Sequence, residues 1–174
     1  MSTAAADAPS SEQRHAAGMQ AALAQARLGA ARGEPPFGVV IVNATGTVVA
    51  ATHDRVREHG DMSAHAEVLA VRDACAAQGP LLAGCTLYTT CEPCPMCYTA
   101  AWLAGISTLV YGTRMAQVHE RMGGQQRELR IPVETLNALN PEPLRLVGGV
   151  AAAECLALFV PPRAPGADAP RRDI

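Results

Sequence analysis

The sequence is poor in aromatic residues: one Trp, three Tyr and two Phe among 174. A broad platform for stacking nucleic-acid bases needs more than that. Net charge is also scarce. At −2 it gives no general attraction to phosphate backbones. No apolar run reaches the roughly 18 residues that a membrane span requires. The N-terminus lacks the basic-then-apolar order of a secretory signal, so a soluble, cytoplasmic protein is expected. What is present is one domain's length of chain. It is 49% hydrophobic, much of that alanine, and long enough to bury a core without staples.

There are six cysteines: Cys75, Cys85, Cys91, Cys94, Cys97 and Cys155. An even count fits a disulfide framework only in an oxidising compartment. Without an export signal, Cys-x-x-Cys reads as metal or redox chemistry. Cys75, Cys85 and Cys155 lie in apolar or alanine-rich runs and are expected to be buried core thiols.

Taken in order, residues 1–11 and 161–174 are Ala, Ser, Pro and Arg-rich tails expected to be disordered, leaving a domain over 12–160. The alanine-rich stretch 12–32 has Met19, Leu23 and Leu28 at helical spacing, and Gly33 ends it. Phe37–Val42 and Val48–Ala51 read as strands joined by an Asn43-Ala44-Thr45-Gly46 turn. Thr52–Met62 is polar and irregular. Ser63 is a plausible N-cap for a helix from Ala64 to about Ala77. A strand follows at Cys85–Thr90. The next helix runs from Cys94 to Ala104, with Pro93 and Pro95 at its start, where missing amide donors matter least. Thr108–Tyr111 and Leu144–Val147 are further strands, and Val150–Phe159 a closing helix. Residues 113–143 show no clear pattern. The alternation of strands and helices predicts an α/β layered domain with a central sheet.

Two stretches carry chemistry: His65-Ala66-Glu67 and Pro93-Cys94-Pro95-Met96-Cys97. A catalytic zinc takes three protein ligands and leaves a fourth position open. His65 supplies nitrogen, and Cys94 and Cys97, three apart at a helix start, supply sulfur from one side. Glu67, two residues after His65, is left over as a proton carrier. Helix N-termini favour thiolates at such a site. A competing arrangement is a closed structural zinc with Cys91 as fourth ligand. Another is a redox dithiol at Cys94 and Cys97, which leaves His65 and Glu67 unexplained.

These residues, with Pro36-Phe37-Gly38, Ser63-Ala64-His65-Ala66-Glu67 and Thr86-Leu87-Tyr88-Thr89-Thr90-Cys91-Glu92-Pro93-Cys94-Pro95-Met96-Cys97, resemble the cytidine-deaminase-like superfamily. Within it they resemble the branch of guanine deaminases, yeast-type cytosine deaminases and tRNA adenosine deaminases. The likeness runs over roughly residues 15–112, and more faintly to Ala153-Glu154-Cys155. It implies a three-layer α/β/α sandwich with a central, mixed five-stranded sheet. It implies a Zn2+ cofactor and hydrolytic deamination, in which zinc-bound hydroxide attacks the amine-bearing carbon of a heterocycle and Glu67 shuttles protons. It further implies that backbone groups of Ala66 and Cys94 contact substrate, that the Thr90 carbonyl accepts from the departing amine, and that the protein is a homodimer.

The substrate is less determined. Phe37 is placed to touch a flat ring, or is an ordinary core residue at a strand start. The position eleven residues before His65 is usually Asn in this branch and hydrogen-bonds substrate; here it is Asp54. Ionised Asp only accepts hydrogen bonds, whereas Asn also donates. An amino-rich heterocycle (aminopurine, pterin or triazine) is therefore expected in place of plain guanine or cytosine. Alternatively Asp54 ion-pairs with Arg55 or Arg57 on a solvated loop, and the adjacent His53 serves instead. Arg114, Arg121, Arg127 and Arg130 are interleaved with Glu120 and Glu128, the pattern of a solvated face, so nucleic acid is not the expected partner. A tRNA-editing deaminase and a non-catalytic zinc-structured binding domain are the remaining readings.

Overall fold

The computed structural model describes residues 9–124 and 127–160. Its five strands are β1 (Gly38–Val42), β2 (Val48–His53), β3 (Thr86–Cys91), β4 (Thr108–Thr113) and β5 (Arg145–Gly148). They form one sheet in the order β2-β1-β3-β4-β5. β1 pairs antiparallel with both β2 and β3, while β3–β4 and β4–β5 are parallel, so the sheet is mixed. The helices are α1 (Ser11–Ala31), α2 (Val56–His59), α3 (Ala66–Gln78), α4 (Pro95–Leu103), α5 (Met115–Arg121), α6 (Val133–Ala138) and α7 (Ala152–Ala157).

Strand side chains alternate between faces, and the core divides accordingly. Val40, Tyr88 and Val110 meet Met19, Ala22 and Leu23 of α1 and Cys155 of α7. Their neighbours Val39, Ile41, Leu87 and Leu109 meet α3, α4 and α6 on the other side. The result is the expected three-layer α/β/α sandwich with a mixed five-stranded sheet. The alanines of α1 have a steric role. A Cβ at Gly38 would collide with the Ala22 carbonyl and the Ala26 backbone, so helix and strand touch without side chains between them.

Several expectations change. β2 continues to His53, and the polar stretch after it contains the short helix α2. Its first amides are held by two carboxylates. Asp54 accepts from Val56 N–H at 3.1 Å, and Glu34 accepts from Arg57 and Glu58 N–H at 3.0 and 2.7 Å. Ser63 is not a helix cap. Its hydroxyl and amide both donate to Asp61, at 2.7 and 2.8 Å, and the N-cap of α3 is His65. Cys85 and Cys155 are buried, but Cys75 is only half-buried, its thiol turned to the Pro80 carbonyl. The unpatterned stretch 113–143 contains α5 and α6. The predicted tails lie mostly outside the described residues; at the first, α1 begins at Ser11, capped by Ser10. Among the described residues no helix is long and apolar enough to cross a membrane.

Candidate metal centre and active site

The parallel arrangement of β3 and β4 sends α4 back along the same face as α3, so the two helices start side by side. His65 is the N-cap of α3 and Cys94 the N-cap of α4, both in extended backbone. Pro95 occupies the first turn of α4, where its fixed φ suits the helix and no amide is missed. Cys97 completes that turn. The helices thus deliver one imidazole and two sulfurs to one point.

The donors fit zinc. His65 Nδ1 lies 3.8 Å from Cys94 Sγ and 3.4 Å from Cys97 Sγ, and the two sulfurs are 3.5 Å apart. Tetrahedral zinc sets about 3.6 Å between N and S ligands and about 3.8 Å between sulfurs. Among the described residues, no other His, Cys, Asp or Glu joins this cluster of donors within 4.8 Å. Cys91 therefore stands outside the donor set, as an open site requires. Hydrogen bonding from Cys97 holds the Cys94 thiol down at about 4, against burial and with help from His65. The same contact with Cys94 lifts His65 to about 9, while its hydrogen bond and burial push Cys97 well up.

Glu67, in the first turn of α3, is buried behind the donors. Thr89 Oγ1 donates to its Oε1 at 2.8 Å, which fixes the carboxyl. Burial first, then the Cys94 thiolate, pushes its pKa up. A buried carboxyl that readily holds a proton suits general acid–base work.

A cavity opens onto the donor set, with Phe37 and Asp54 in its wall. The β1–β2 hairpin explains their proximity: the Asp54 amide donates to the Phe37 carbonyl at 3.1 Å. Asp54 is 3% exposed, and burial raises its carboxyl to about 6, against the opposing Val56 N–H. It makes no ion pair with either arginine. Arg55 pairs with Glu58 at 3.9 Å, and the Arg57 guanidinium donates to the Gly33 carbonyl. Phe37 also packs on Phe159 from beyond α7, with ring centroids 5.0 Å apart.

Two expected residues stand behind the wall. His53 is buried, with Nδ1 2.7 Å from the Asp54 carbonyl and Nε2 3.2 Å from the Arg32 guanidinium. Since Arg only donates, Nε2 accepts and Nδ1–H donates. Both ring nitrogens are engaged, and the ring supports Asp54. Thr90 is also fully buried, and its hydroxyl accepts from Gly38 N–H at 3.1 Å, next to Phe37. Ala66 is the first residue of α3, so its amide is among the donors that the helix itself leaves unused.

Three wall residues were not expected from sequence to belong to the site. Glu92 accepts from Val133 N–H (2.8 Å), Met115 N–H (3.1 Å) and Arg114 (3.4 Å). Met115 starts α5. Glu128 belongs to the stretch that reads as a solvated face, yet it reaches the cavity. Its pKa is raised by burial and then by Cys94. A separate cleft over Arg32, Glu34, Arg57 and Glu58 has the Glu34 carboxylate engaged by the α2 amides and Glu58 paired with Arg55.

A family model of the cytidine and deoxycytidylate deaminase zinc-binding region matches residues 12–113. The chain belongs to that family. Zinc is the family's metal, in keeping with the donor geometry. The tRNA-specific adenosine deaminase of Agrobacterium fabrum is 44% identical over 97 residues, 55% of this chain and 63% of that one. The guanine deaminase of Bacillus subtilis is 42% identical over 86 residues, 49% of this chain and 54% of that one. The matched part spans less than two thirds of each of these curated relatives. A solved structure from work on A-to-I editing by tRNA:A34 deaminases has a TM-score of 0.67 at 34% identity. It covers 82% of this chain and 98% of that one. This deaminase-family chain is therefore similar both to proteins acting on a free base and to proteins acting on tRNA.

Proposed function

We propose that the chain is a zinc-dependent hydrolytic deaminase of a small amino-bearing heterocycle, releasing ammonia. The observation that carries this is the three-donor set of His65, Cys94 and Cys97 with the buried Glu67 carboxyl beside it. Zinc held there supplies Lewis acidity that brings the pKa of water toward neutrality. Glu67 takes one proton from the attacking water and passes it to the ring nitrogen, then takes the proton of the new hydroxyl and passes it to the departing amine, leaving a ring carbonyl and ammonia. Thr89 holds one carboxyl oxygen so that the other faces the reacting atoms. Phe37 lies against the ring, Asp54 and the Ala66 amide orient its polar edge, and His53 and Thr90 brace that wall. A homodimer is proposed with this reading; Leu103 on α4 is 67% exposed, and light scattering on the zinc-loaded chain measures the assembly.

The test is Glu67→Gln. The variant is expected to keep one zinc per chain and to lose at least about 10²-fold in ammonia release across a library of amino-heterocycles. Undiminished turnover with zinc retained refutes the role. The similarity to tRNA adenosine deaminases favours a second reading, deamination within tRNA. Inosine formation in an anticodon stem-loop, with no turnover of free bases, would select it. Two of the four arginines considered for that surface are engaged: Arg114 with Glu92 and Glu134, and Arg121 Nε with the Phe159 carbonyl.

A further inference from the structure

Beyond the metal donors and the buried Cys91 thiol, the ionisable side chains in the cavity wall are carboxylates: Asp54, Glu67, Glu92 and Glu128. Among the described residues no arginine, amide or hydroxyl side chain joins them, and the chain contains no lysine at all. Two of the four are engaged by the protein. Glu92 takes three donors, and Glu67 takes Thr89. The other two are under-used. Asp54 is nearly fully buried, and among the described residues only Val56 N–H donates to it, at Oδ1. Among the described residues, Glu128 Oε1 is buried without a hydrogen-bond partner. His119 Nδ1, 3.8 Å away, is likewise without a partner among the described residues. Buried carboxylate oxygens left unpaired are costly, and native structures rarely keep them without a use.

We propose that Asp54 and Glu128 together determine specificity, so that the cavity takes a heterocycle presenting N–H groups, or positive charge, on two edges. It rejects rings that present carbonyls or phosphate there. Deepening the deaminase reading, this rests on that assignment of the cavity. Asp54 is an acceptor held by α2, and the half-buried Glu128, 3.8 Å from His119, brings a second acceptor to the cavity. A carbonyl opposite either one places two acceptors together with no proton between them. A phosphate meets no free cation in the wall, since Arg114 nearby is held by Glu92 and Glu134. Amino groups, by contrast, fill the unused acceptors. Sites built to pair one hydrogen-bonding pattern discriminate strongly against its opposite.

Three purines of one size isolate this effect: 2,6-diaminopurine, guanine and xanthine carry zero, one and two exocyclic carbonyls. Binding is measured by calorimetry at pH 7.5 on the zinc-loaded full chain carrying Glu67→Gln, which leaves the ligand intact. Affinity is expected to fall at least tenfold with each carbonyl. Asp54→Asn and Glu128→Gln, near-isosteric and checked for zinc content and melting, should each narrow the ratio at least tenfold. Equal binding of xanthine and 2,6-diaminopurine, no binding of 2,6-diaminopurine, or unchanged ratios in both variants overturns the inference. Ammonia release by the unsubstituted zinc-loaded chain is followed in parallel. The expected binding order without ammonia overturns the deaminase reading alone. Ammonia released equally from guanine and 2,6-diaminopurine overturns the specificity and leaves deamination standing.

Discussion

Asp54 costs the folded protein something that asparagine would not. Its carboxyl is raised to about 6 from an ordinary 3.8, chiefly by burial. Below pH 4 it is protonated in both folded and unfolded chains and weighs on neither. As pH rises from about 4 to 6 the unfolded chain ionises while the folded one keeps its proton, so stability falls across that window and levels off above it. The shift corresponds to about 3 kcal/mol above pH 6. Asp54→Asn keeps the Val56 hydrogen bond and is expected to raise the melting temperature by several degrees at pH 7.5, with the gain gone below pH 4. Thermal melts across that range check it. A destabilising residue kept in a cavity wall is the pattern of a site maintained for binding. The metal donors have a proton ledger of their own. His65 lies near 9 and Cys97 is pushed high, so both carry protons at neutral pH. Zinc entry is expected to release about two protons per chain at pH 7, read by calorimetry in buffers of differing ionisation heat.

At the scale of elements, Glu92 joins three of them. Its carboxylate ties the end of β3 to the start of α5 through Met115 and to the start of α6 through Val133. Glu92→Gln replaces one acceptor oxygen by a donor facing an amide. The expected cost is about 2 kcal/mol, with faster hydrogen exchange confined to residues 115–121 and 133–138. The same contacts explain what sequence could reveal. Helices α3 and α4 were legible because their signals are local: Pro93 and Pro95 at a start, Gly105 at an end, His-x-Glu and Cys-x-x-Cys in fixed spacing. α5 and α6, seven and six residues long, are organised by a carboxylate more than twenty residues away, which leaves no periodic trace. α2 is held by Glu34 in the same way. Ser63 misled because it has the chemistry of a cap, and only the fold reveals that its hydroxyl and amide donate to Asp61. Phe37 and Asp54 were recognisable from a family likeness. Glu128 was not, because an inward carboxylate between arginines looks the same in sequence as an outward one.

For the molecule as a whole, the layering follows from strand alternation and was expected from the order of helices and strands. What sequence left open was the seating of α1, which depends on backbone meeting backbone at Gly38. Gly38→Ala is expected to unfold at markedly lower urea than the parent, by about 2 kcal/mol or more, because neither the Ala22 carbonyl nor the Ala26 backbone can retreat. The placement of the metal donors along the chain has a consequence for the order of assembly. Cys94 and Cys97 are three residues apart, whereas His65 lies 29 residues before Cys94. The sulfurs can capture zinc while most of the chain is still unfolded. Recruiting the imidazole then closes an arc holding α3, β3 and the start of α4, a closure worth about 3–4 kcal/mol of chain entropy. That arc also carries the central strand, against which β1 and β4 must later pair. The same ion that equips the cavity thus gives the nascent chain a place from which to build its sheet outward.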